Sequence, residues 1–431
     1  MVTGVSTDSR SLGPGTLFFA LPGARVDGHN FVAQVLANGA AAAVVSKDVV
    51  VPPEHRDKLV RVEDTLACLG LTANLYRRTW GGVVIGITGS NGKTTTREMT
   101  HHVLSEKIAC KRSPKSFNTE VGVPLTLFTL DPEDKAAVVE MGTNAPGEIA
   151  DLVKIAEPNM GVITSISESH LEGLGSVEGV ARAKGELLQG LGAQGVAFLN
   201  ADDAWYHFLR GLFQGRTVSV GSARDAVARV TEVKATENGT TYKLNGVDVV
   251  LNVPGRHNVT NSALALAVAV EMGLDLKDAA AGMATFTMPE MRYQVETIRG
   301  VKVAFDGYNA NPGSMRAALD TFRDMPVAGR RVAVLGDMLE LGEAAGRLHT
   351  QLGSDIARGK IQALWVIGKY SGLVAQAALK GGVKDVTSSD GFDAVAEKIC
   401  RSLQPGDALL VKGSRGMKLE RLVEILKASV G

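Results

Sequence analysis

A glycine-rich segment followed by a lysine and three threonines, TGSNGKTTT at residues 88–96, has the composition of a phosphate-binding loop. Gly89 and Gly92 allow a tight turn and a close approach of the backbone to a phosphate. Lys93 can reach the β- and γ-phosphates of a nucleotide, and the Thr94 hydroxyl can bind Mg²⁺. The segment therefore predicts a nucleoside triphosphate site.

The loop differs at one position from the usual pattern G-x-x-x-x-G-K-[ST], which requires glycine where this chain has Ile87. The flanking residues nevertheless fit the role, because residues 83–88 (VVIGIT) predict a strand and residues 93–107 predict a helix. In a strand–loop–helix unit, backbone N–H groups and the helix N-terminus converge on a phosphate. A plain strand–helix turn that happens to contain Gly, Lys and Thr is the alternative.

Three further polar residues lie where metal or acid–base chemistry could occur. Glu140 ends the apolar run AAVVE, and a carboxylate at the end of a parallel strand can hold Mg²⁺ beside a phosphate loop. His170 follows another predicted strand, and Lys184 lies in a predicted helix. From the residues alone, a solvated glutamate, a polar loop histidine and a surface lysine remain open alternatives.

The composition narrows the class of protein. The chain has 431 residues, 45% of them hydrophobic, and this length predicts about two to four domains. Lys plus Arg and Asp plus Glu both number 46, so no basic excess favours a nucleic-acid partner. The three cysteines form no CxxC pair, which argues against a disulfide framework or a zinc site. We find no signal-peptide pattern and no apolar run of about 20 residues, and we expect a cytoplasmic protein without a membrane span.

The order of apolar segments predicts an α/β protein of three domains. Residues 1–81 form a small α/β unit, and residues 82–290 alternate strands and helices at the spacing of βαβ units. This alternation predicts a mostly parallel sheet with helices on both faces. Residues 291–431 form a third α/β unit, and short connections place a substrate cleft between the domains.

One part of the central unit has a different pattern. Residues 227–253 alternate polar and apolar side chains, and they contain the pairs Asn238–Gly239 and Asn245–Gly246. Asn-Gly is the commonest sequence of a tight two-residue turn, so this stretch predicts β-hairpins.

The loop TGSNGKTTT resembles that of the Mur ligase family, whose usual form is T-G-[ST]-N-G-K-T. The resemblance extends over essentially the whole chain, through the segments STDSR, DGHNF, NTEVGVPLT, GRHNVTN, YNANP, GDMLELG and KGSR. It implies an N-terminal UDP-binding domain, a central ATP-binding domain and a C-terminal Rossmann-like domain. It also implies an ATP-dependent, ADP-forming ligase that makes a C–N bond through an acyl phosphate, with ATP and Mg²⁺ as cofactors.

The resemblance also implies roles for individual residues. Those expected at the nucleotide are Gly89, Ser90, Asn91, Gly92, Lys93, Thr94, Thr95, Asn258, Asn261, Arg292, Asp306, Tyr308 and Asn309. The expected Mg²⁺ ligands are Thr94, Glu140, His170 and Lys184, the last as a carbamate. The expected catalytic residues are Lys93, Glu140, His170, Lys184 and Arg292. For Asn258 the alternative from the residues alone is helix capping.

Substrate contacts are implied in three segments. Ser9 and Arg10 of DSR, with Asn118 and Thr119, are expected at the UDP-linked substrate, although DSR could also be a simple turn. Residue 119 is asparagine in the family pattern. Compared with the family, the chain starts about one strand and one helix late, which makes a complete UDP site less certain. Contacts to a dipeptide or to the product phosphate are expected from Lys412, Ser414 and Arg415.

The segments DGHNF, YNANP and GDMLELG resemble the family member that adds D-alanyl-D-alanine to UDP-N-acetylmuramoyl-tripeptide. This is the last cytoplasmic step of peptidoglycan precursor synthesis. The motif D-N-P-R of the enzyme that adds the third peptide residue does not occur. The resemblance implies small-molecule substrates, and it leaves open whether the third peptide residue is meso-diaminopimelate or L-lysine. The motifs do not give the oligomeric state, for which we expect a monomer.

Three alternatives to this function can be separated by experiment. A sister amide ligase, such as another Mur ligase or a folylpolyglutamate synthetase, would use a different acceptor. A regulatory P-loop NTPase would hydrolyse ATP without a UDP-linked peptide. A non-catalytic relative would bind the UDP-linked peptide without turnover.

Overall fold

The computed structural model describes residues 2–428 except residues 24, 25, 237 and 238. Over these residues the chain forms three sheets in which most neighbouring strands are parallel, with helices packed against them. The predicted α/β fold class is therefore confirmed. No helix in the described part of the chain is long and apolar enough to cross a membrane.

The first sheet has four parallel strands in sequential order. They are β1 (Gly4–Ser6), β2 (Thr16–Phe19), β3 (Ala42–Val45) and β4 (Leu59–Arg61). Two helices accompany this sheet, α1 (Val32–Ala37) and α2 (Thr65–Trp80). Helix α2 begins after Asp64, whose carboxylate accepts two backbone N–H groups, and ends at Gly81 with φ 75°. Arg77 of α2 donates to the carbonyl of Ala156, which ties this unit to the centre of the molecule.

The central sheet has nine strands in the order β13-β12-β11-β10-β9-β8-β5-β7-β6, and the pairs from β6 to β11 are parallel. The parallel strands are β5 (Val83–Thr88), β6 (Cys110–Arg112), β7 (Ala136–Glu140), β8 (Met160–Ile163), β9 (Val196–Asn200), β10 (Arg216–Gly221) and β11 (Ala228–Ala235). The antiparallel edge is completed by β12 (Thr240–Leu244) and β13 (Val247–Leu251).

The predicted hairpin between β12 and β13 is confirmed. Asn245 and Gly246 form its turn with φ values of 48° and 85°, the left-handed conformation that a tight turn of this type requires. The other predicted turn residue, Asn238, lies outside the described residues.

Helices cover both faces of the central sheet. They are α3 (Lys93–Ser105), α4 (Gly122–Leu127), α5 (Glu148–Ala156), α6 (Leu171–Leu174), α7 (Val177–Gln189), α8 (Tyr206–Gly211), α9 (Arg256–Glu271) and α10 (Leu276–Met283). The alternation of side chains along β5 shows how the layers form: Val84 packs on one face, and Ile85 and Ile87 pack on the other. The sheet is thus buried on both sides, as a parallel sheet normally is.

The C-terminal sheet has six strands in the order β14-β15-β19-β16-β17-β18, with only the edge strand β14 antiparallel. The strands are β14 (Gln294–Ile298), β15 (Val301–Asp306), β16 (Arg331–Gly336), β17 (Ala363–Ile367), β18 (Asp385–Ser389) and β19 (Ala408–Lys412). Its helices are α11 (Pro312–Asp324), α12 (Ala345–Ala357), α13 (Ser371–Lys380), α14 (Ala396–Ser402) and α15 (Glu420–Ala428). The predicted domain boundaries at 81/82 and 290/291 stay a prediction.

Candidate nucleotide and ligation site

The predicted phosphate loop joins β5, an inner strand of the central sheet, to α3. Its two glycines have φ values of 149° (Gly89) and 84° (Gly92). A Cβ atom on Gly89 would come 1.9 Å from Oγ1 of Thr164, and one on Gly92 would come 2.4 Å from Oδ1 of Asn261. Glycine is therefore required at both positions by backbone conformation and by space. Helix α3 begins at Lys93, so its N-terminus faces the loop.

The mismatch to the usual loop pattern has a packing explanation. Ile87 lies within β5 and is fully buried in the apolar cluster beside α3 and α9, so this position belongs to the strand. One residue earlier, Gly86 faces the other side, where a Cβ would come 3.1 Å from Cδ1 of Leu187. The loop turn itself is formed by Gly89 and Gly92.

Lys93 folds back over the loop, and its Nζ donates to the carbonyl of Gly89 at 2.7 Å. Burial is the main cause that lowers the pKa of this lysine, and the nearby Arg292 lowers it further, while Glu140 opposes the shift. A negatively charged phosphate would replace this carbonyl with a stronger partner for the ammonium group.

Glu140, at the end of β7, is the centre of a buried hydrogen-bond network and is 1% exposed. Its Oε2 accepts from Oγ1 of Thr94 at 2.9 Å and from Nη1 of Arg97 at 3.1 Å. Its Oε1 accepts from Nδ2 of Asn118 at 2.9 Å. The structure thus places the predicted metal ligands Thr94 and Glu140 side by side, and it joins Asn118, predicted to contact the UDP-linked substrate, to the same carboxylate.

Arg97 was not predicted from the sequence. It lies one helical turn after Thr94, so the two residues share a face of α3, and this spacing is the signal that could have identified it. Its guanidinium is buried and also donates to the carbonyl of Lys115 and to Oε1 of Glu98. The Arg97 side chain therefore connects α3 with Lys115, three residues before the predicted substrate contacts Asn118 and Thr119.

Lys184, on α7, is 0% exposed, and no partner for its Nζ is found among the described atoms. Burial lowers its pKa well below the usual range, and the charge of Lys93 lowers it further. The alternative of a surface lysine is wrong. An unpartnered buried ammonium costs several kcal/mol on an order-of-magnitude estimate, so this position fits a neutral amine or a carbamate.

His170 begins α6 in the left-handed conformation, with φ 51°. Its Nδ1 lies 2.7 Å from Oε2 of Glu340, which comes from the segment after β16. The imidazole is the main cause that lowers the pKa of the Glu340 carboxyl. Glu340 lies in the segment GDMLELG, but that segment gave it no individual role, because the contact joins two distant segments.

Residues after 290 approach the loop from the opposite side. Nη2 of Arg292 donates to Oγ1 of Thr94 at 2.8 Å, and its guanidinium lies 3.9 Å from the centre of the Tyr308 ring. Nζ of Lys412, at the end of β19, donates to Oδ2 of Asp306 at 2.6 Å and to the carbonyl of Asn309 at 2.9 Å. Lys412 is thus an ion-pair partner of Asp306 in this arrangement.

These groups line one cavity of about 690 Å³ between the central and C-terminal sheets. The predicted residues that line it are Ser90, Asn91, Gly92, Lys93, Thr94, Thr95, Asn118, Thr119, Glu140, His170, Asn261, Arg292, Asp306, Tyr308, Asn309 and Lys412. Lining residues that were not predicted as site residues include His257, Tyr293 and Asn311. Asn311 Nδ2 donates to Oδ1 of Asn91 at 2.9 Å, so the C-terminal side contacts the loop directly.

Several predicted residues do not line this cavity. Asn258 lies beside it on α9, where its Nδ2 donates to the carbonyl of Pro254 and its Oδ1 accepts from Asn261. The residue before α9 is Gly255, which makes no side-chain cap, so the capping alternative for Asn258 is wrong. The remaining residues outside the lining are Gly89, Lys184, Ser9, Arg10, Ser414 and Arg415.

Three of the outlying residues, Arg10, Ser414 and Arg415, have local partners. Arg10 is exposed and pairs with Asp8, whose pKa it lowers to about 2, and the Asp8 carboxylate also accepts the Arg10 N–H, as in a turn. Buried Ser414 accepts from the backbone N–H of Leu339 at 2.9 Å, and the exposed Arg415 pairs with Glu420. The structure brings none of these side chains to the cavity.

The donor set is suited to an anionic ligand and a hard cation. Cationic side chains on both sides of the cavity (Lys93, Arg292) face one buried carboxylate, Glu140. The described residues include no cluster of three His, Cys, Asp or Glu side chains of the kind that holds a metal by itself. Oxygen ligands from Thr94 and Glu140, completed by phosphate oxygens, are the arrangement that Mg²⁺ usually adopts in nucleotide sites.

Comparisons with known proteins agree with this geometry. The Mur ligase middle domain matches residues 87–269, the Mur ligase glutamate ligase domain matches residues 291–415, and the Mur ligase family catalytic domain matches residues 1–77. Two relatives are named UDP-N-acetylmuramoyl-tripeptide–D-alanyl-D-alanine ligase. That of Bacillus subtilis (strain 168) is 37% identical, over 99% of this chain and 93% of the relative. That of Escherichia coli (strain K12) is 36% identical, over 98% and 93%.

Solved structures of Mur ligases also match this chain over nearly its full length. The chain superposes on MurF from Acinetobacter baumannii with a TM-score of 0.90 at 32% identity, covering 98% of this chain and 93% of that one. It superposes on MurF ligase from Thermotoga maritima in complex with ADP with a TM-score of 0.85 at 27% identity, covering 99% and 97%. Folylpolyglutamate synthase from Mycobacterium tuberculosis, at 16% identity and a TM-score of 0.66 over 84% of this chain and 93% of that one, shares the fold alone. The chain belongs to the Mur ligase family, whose members are ATP-dependent ligases that form a C–N bond.

Proposed function

We propose that this protein joins D-alanyl-D-alanine to UDP-N-acetylmuramoyl-tripeptide, with conversion of ATP to ADP and phosphate. The observation that carries the proposal is that the phosphate loop, Glu140 and Arg292 converge on the same cavity. Relatives that carry this activity in their names match the chain over nearly its full length. The product is the UDP-linked pentapeptide precursor of peptidoglycan, and we place the protein in the cytoplasm as a monomer.

The reaction needs ATP because a carboxylate is a poor electrophile. The terminal carboxylate of the tripeptide attacks the γ-phosphorus, which gives an acyl phosphate and ADP. The amine of D-alanyl-D-alanine then attacks the acyl carbon, the tetrahedral intermediate expels phosphate, and the amine loses a proton. The protein contributes orientation and neutralisation of charge, which dominate catalysis of phosphoryl transfer.

Two cationic side chains bind the triphosphate in this proposal. Lys93 exchanges its contact with the Gly89 carbonyl for the β- and γ-phosphates. Arg292, which reaches Oγ1 of Thr94 at 2.8 Å, is close enough to the loop to contact the γ-phosphate. The N-terminus of α3 contributes backbone N–H groups. Together these groups offset the negative charge that carboxylate and phosphate bring into one site.

Thr94 and Glu140 would hold Mg²⁺ at the nucleotide, and His170 with Lys184 as a carbamate would hold a second ion. When bound, Mg²⁺ supplies positive charge that lowers the repulsion between the phosphate and the attacking carboxylate. Nζ of Lys184 is fully buried and has no partner among the described atoms, which supports the carbamate. A carbamate there would pair with the second Mg²⁺, whereas an ammonium group would repel it. Arg97 and Asn118 keep the Glu140 carboxylate oriented toward Thr94.

The C-terminal side positions the nucleoside. Asp306 and Asn309 lie together at the cavity, and Lys412 holds both through its two hydrogen bonds. We assign Asp306 to the ribose hydroxyls and Asn309 to the nearby nucleotide atoms. We assign Asn261, which lines the same cavity, to the adenine base. Closure of the two sheets around the bound substrates would exclude water, which protects an acyl phosphate from hydrolysis.

The UDP-linked substrate enters from the N-terminal unit in this proposal. Ser9 and Arg10 would contact the uridine diphosphate, and the Arg10 guanidinium can exchange the exposed Asp8 for a pyrophosphate. Thr119 lines the cavity and can contact the muramoyl peptide. The dipeptide and product phosphate would meet Lys412, with Ser414 and Arg415 behind it.

Phosphate release by the purified protein tests the function. The assay contains ATP, Mg²⁺, UDP-N-acetylmuramoyl-tripeptide and D-alanyl-D-alanine, and each component is omitted in turn. We expect ADP, phosphate and UDP-linked pentapeptide in equal amounts, and only when all four are present. Steady phosphate release without the dipeptide would indicate an NTPase, and AMP with pyrophosphate would exclude the acyl phosphate.

A further inference from the structure

The contact between Glu340 and His170 joins two segments that are far apart in the sequence. Oε2 of Glu340 lies 2.7 Å from Nδ1 of His170, at the start of α6. Building on the proposed function, we propose that Glu340 is a positioning residue that fixes the His170 imidazole for binding of the second divalent cation. That cation site then depends on docking of residues 291–415 against residues 87–269, because each segment supplies one member of the pair.

Both residues have an unusual backbone conformation. The φ values are 51° for His170 and 61° for Glu340, in the left-handed region that non-glycine residues rarely adopt. Neighbouring contacts hold them there: the N–H of Glu172 donates to the carbonyl of Glu340 at 3.3 Å. Gly342, with φ 54°, lies so close that a Cβ on it would come 3.3 Å from Cα of Glu172. Strained residues kept in place by their surroundings are concentrated at functional sites.

Stabilisation of the fold does not account for the pair. The Glu340 side chain is 56% exposed and that of His170 is 19% exposed, and an ion pair with an exposed partner contributes little to stability. The backbone strain of two residues in the left-handed conformation exceeds the stabilisation that such an ion pair gives. The arrangement is therefore better explained by what it does to the imidazole.

The chemistry of metal-binding histidine gives that explanation. Such a histidine ordinarily donates its second ring N–H to a carboxylate, which fixes the tautomer and the ring orientation. A proton donated from Nδ1 of His170 to Glu340 would leave the lone pair of Nε2 available to a cation, and His170 lines the cavity. The Nδ1–Oε2 contact has the distance of a hydrogen bond but not its angle. Contacts of this kind often become aligned only when the ligands bind.

Counting bound Mn²⁺ by electron paramagnetic resonance tests the proposal on the full chain. The protein is titrated with Mn²⁺ in the presence of a non-hydrolysable ATP analogue. We expect two sites, and we expect Glu340→Gln to weaken the second about tenfold while changing the first less than twofold. The matched control is Glu343→Gln, an exposed residue of the same turn, which should bind Mn²⁺ as the unmodified protein does.

Two outcomes overturn the proposal: unchanged affinities in Glu340→Gln, or a single Mn²⁺ site in the unmodified protein. A double-mutant cycle adds a sharper criterion, because in a His170→Asn background the Glu340→Gln change should cost less than twofold. If the double variant instead loses Mn²⁺ affinity by the product of the two single-variant factors, Glu340 does not act through His170. If the unmodified protein forms the amide but Glu340→Gln binds Mn²⁺ normally, only the inference about Glu340 fails. If the unmodified protein forms no amide, the proposed function fails.

Discussion

The two sides of the cavity are built differently. The central side, formed by residues 87–184, is a buried network in which Thr94, Arg97 and Asn118 all bond to one carboxylate. The C-terminal side, formed by residues 291–415, reaches that network through a few separate contacts, such as Arg292 with Thr94 and Asn311 with Asn91. The central side is therefore preorganised by its own fold, whereas the contribution of the C-terminal side depends on how the two sheets dock.

This difference indicates that the two sides contribute differently to nucleotide binding and to turnover. A preorganised anion site can hold a nucleotide with little help, since its dipoles and charges are fixed before the ligand arrives. Side chains that cross an interface can instead be present or absent according to the docking of that interface. Changes to the phosphate loop on the central side should weaken both nucleotide binding and turnover, and changes on the C-terminal side should act mainly on turnover.

The largest combined effect on nucleotide binding and turnover is expected from Lys93→Ala. Removal of the cation that binds the β- and γ-phosphates should lower kcat by about 100- to 1000-fold, the range found when one preorganised electrostatic group is lost. Nucleotide affinity, measured by calorimetry with ADP, should fall as well. The control is Lys107→Ala, an exposed lysine just after the same helix, which should leave both values unchanged. Normal turnover in Lys93→Ala would show that the loop does not bind the reacting phosphates.

Lys184→Ala should abolish turnover with little change in ADP affinity, because its carbamate is assigned to the second ion and not to the nucleotide loop. Short carboxylic acids such as acetate should restore part of the activity by supplying the missing oxygen ligands. Steady-state rates with and without acetate measure this, and the exposed Lys154→Ala is the control. Full activity of Lys184→Ala without added acid would remove the carbamate from the mechanism.

The buried network can be tested through stability. Arg97→Met breaks a buried ion pair and leaves Glu140 short of one charged partner, so we expect a loss of about 3–5 kcal/mol. The matched change Arg182→Met breaks an exposed pair with Glu178 on α7 and should cost about 0.3–0.5 kcal/mol. Urea unfolding midpoints compare the two variants. Equal midpoints would mean that the central side is less tightly organised than its contacts indicate.

The smallest effect is expected at the margin of the interface. Arg316 of α11 donates to Oε2 of Glu168 at 3.2 Å, and both side chains are partly exposed. Arg316→Ala should therefore cost less than about 1 kcal/mol in stability. We expect kcat to change less than twofold, as measured in the same phosphate-release assay. A large loss of kcat with unchanged ADP affinity would show that docking is controlled at this edge as well.

The central loop could be predicted from the sequence because its parts are contiguous. A strand, a glycine turn and a helix that begins with lysine and threonine form a phosphate site through local geometry alone. The turn at Asn245–Gly246 is local in the same way. Glu140 was predicted for a different reason: parallel strands end at one edge of a sheet, so a carboxylate that ends β7 lies beside the loop that follows β5.

Other parts of the site could not be predicted, because they depend on which segments meet. Asn118 was predicted at the substrate, and its amide contacts Glu140. Lys412 was predicted at the dipeptide or the product phosphate, and its ammonium is held by Asp306. Arg10 pairs with its neighbour Asp8 away from the cavity. A sequence gives the type of each side chain but not the partner that satisfies it.

By itself, the sequence determined the fold class, the family and the position of the nucleotide loop. These follow from hydrophobic periodicity and from motifs in which neighbouring residues do the chemistry. Only the tertiary structure decided that Lys184 is buried with no partner among the residues described, that Arg97 bonds to Glu140, and that Glu340 meets His170. The reason is that burial and charge pairing are properties of the space between segments, and that space exists only after the sheets and helices have packed.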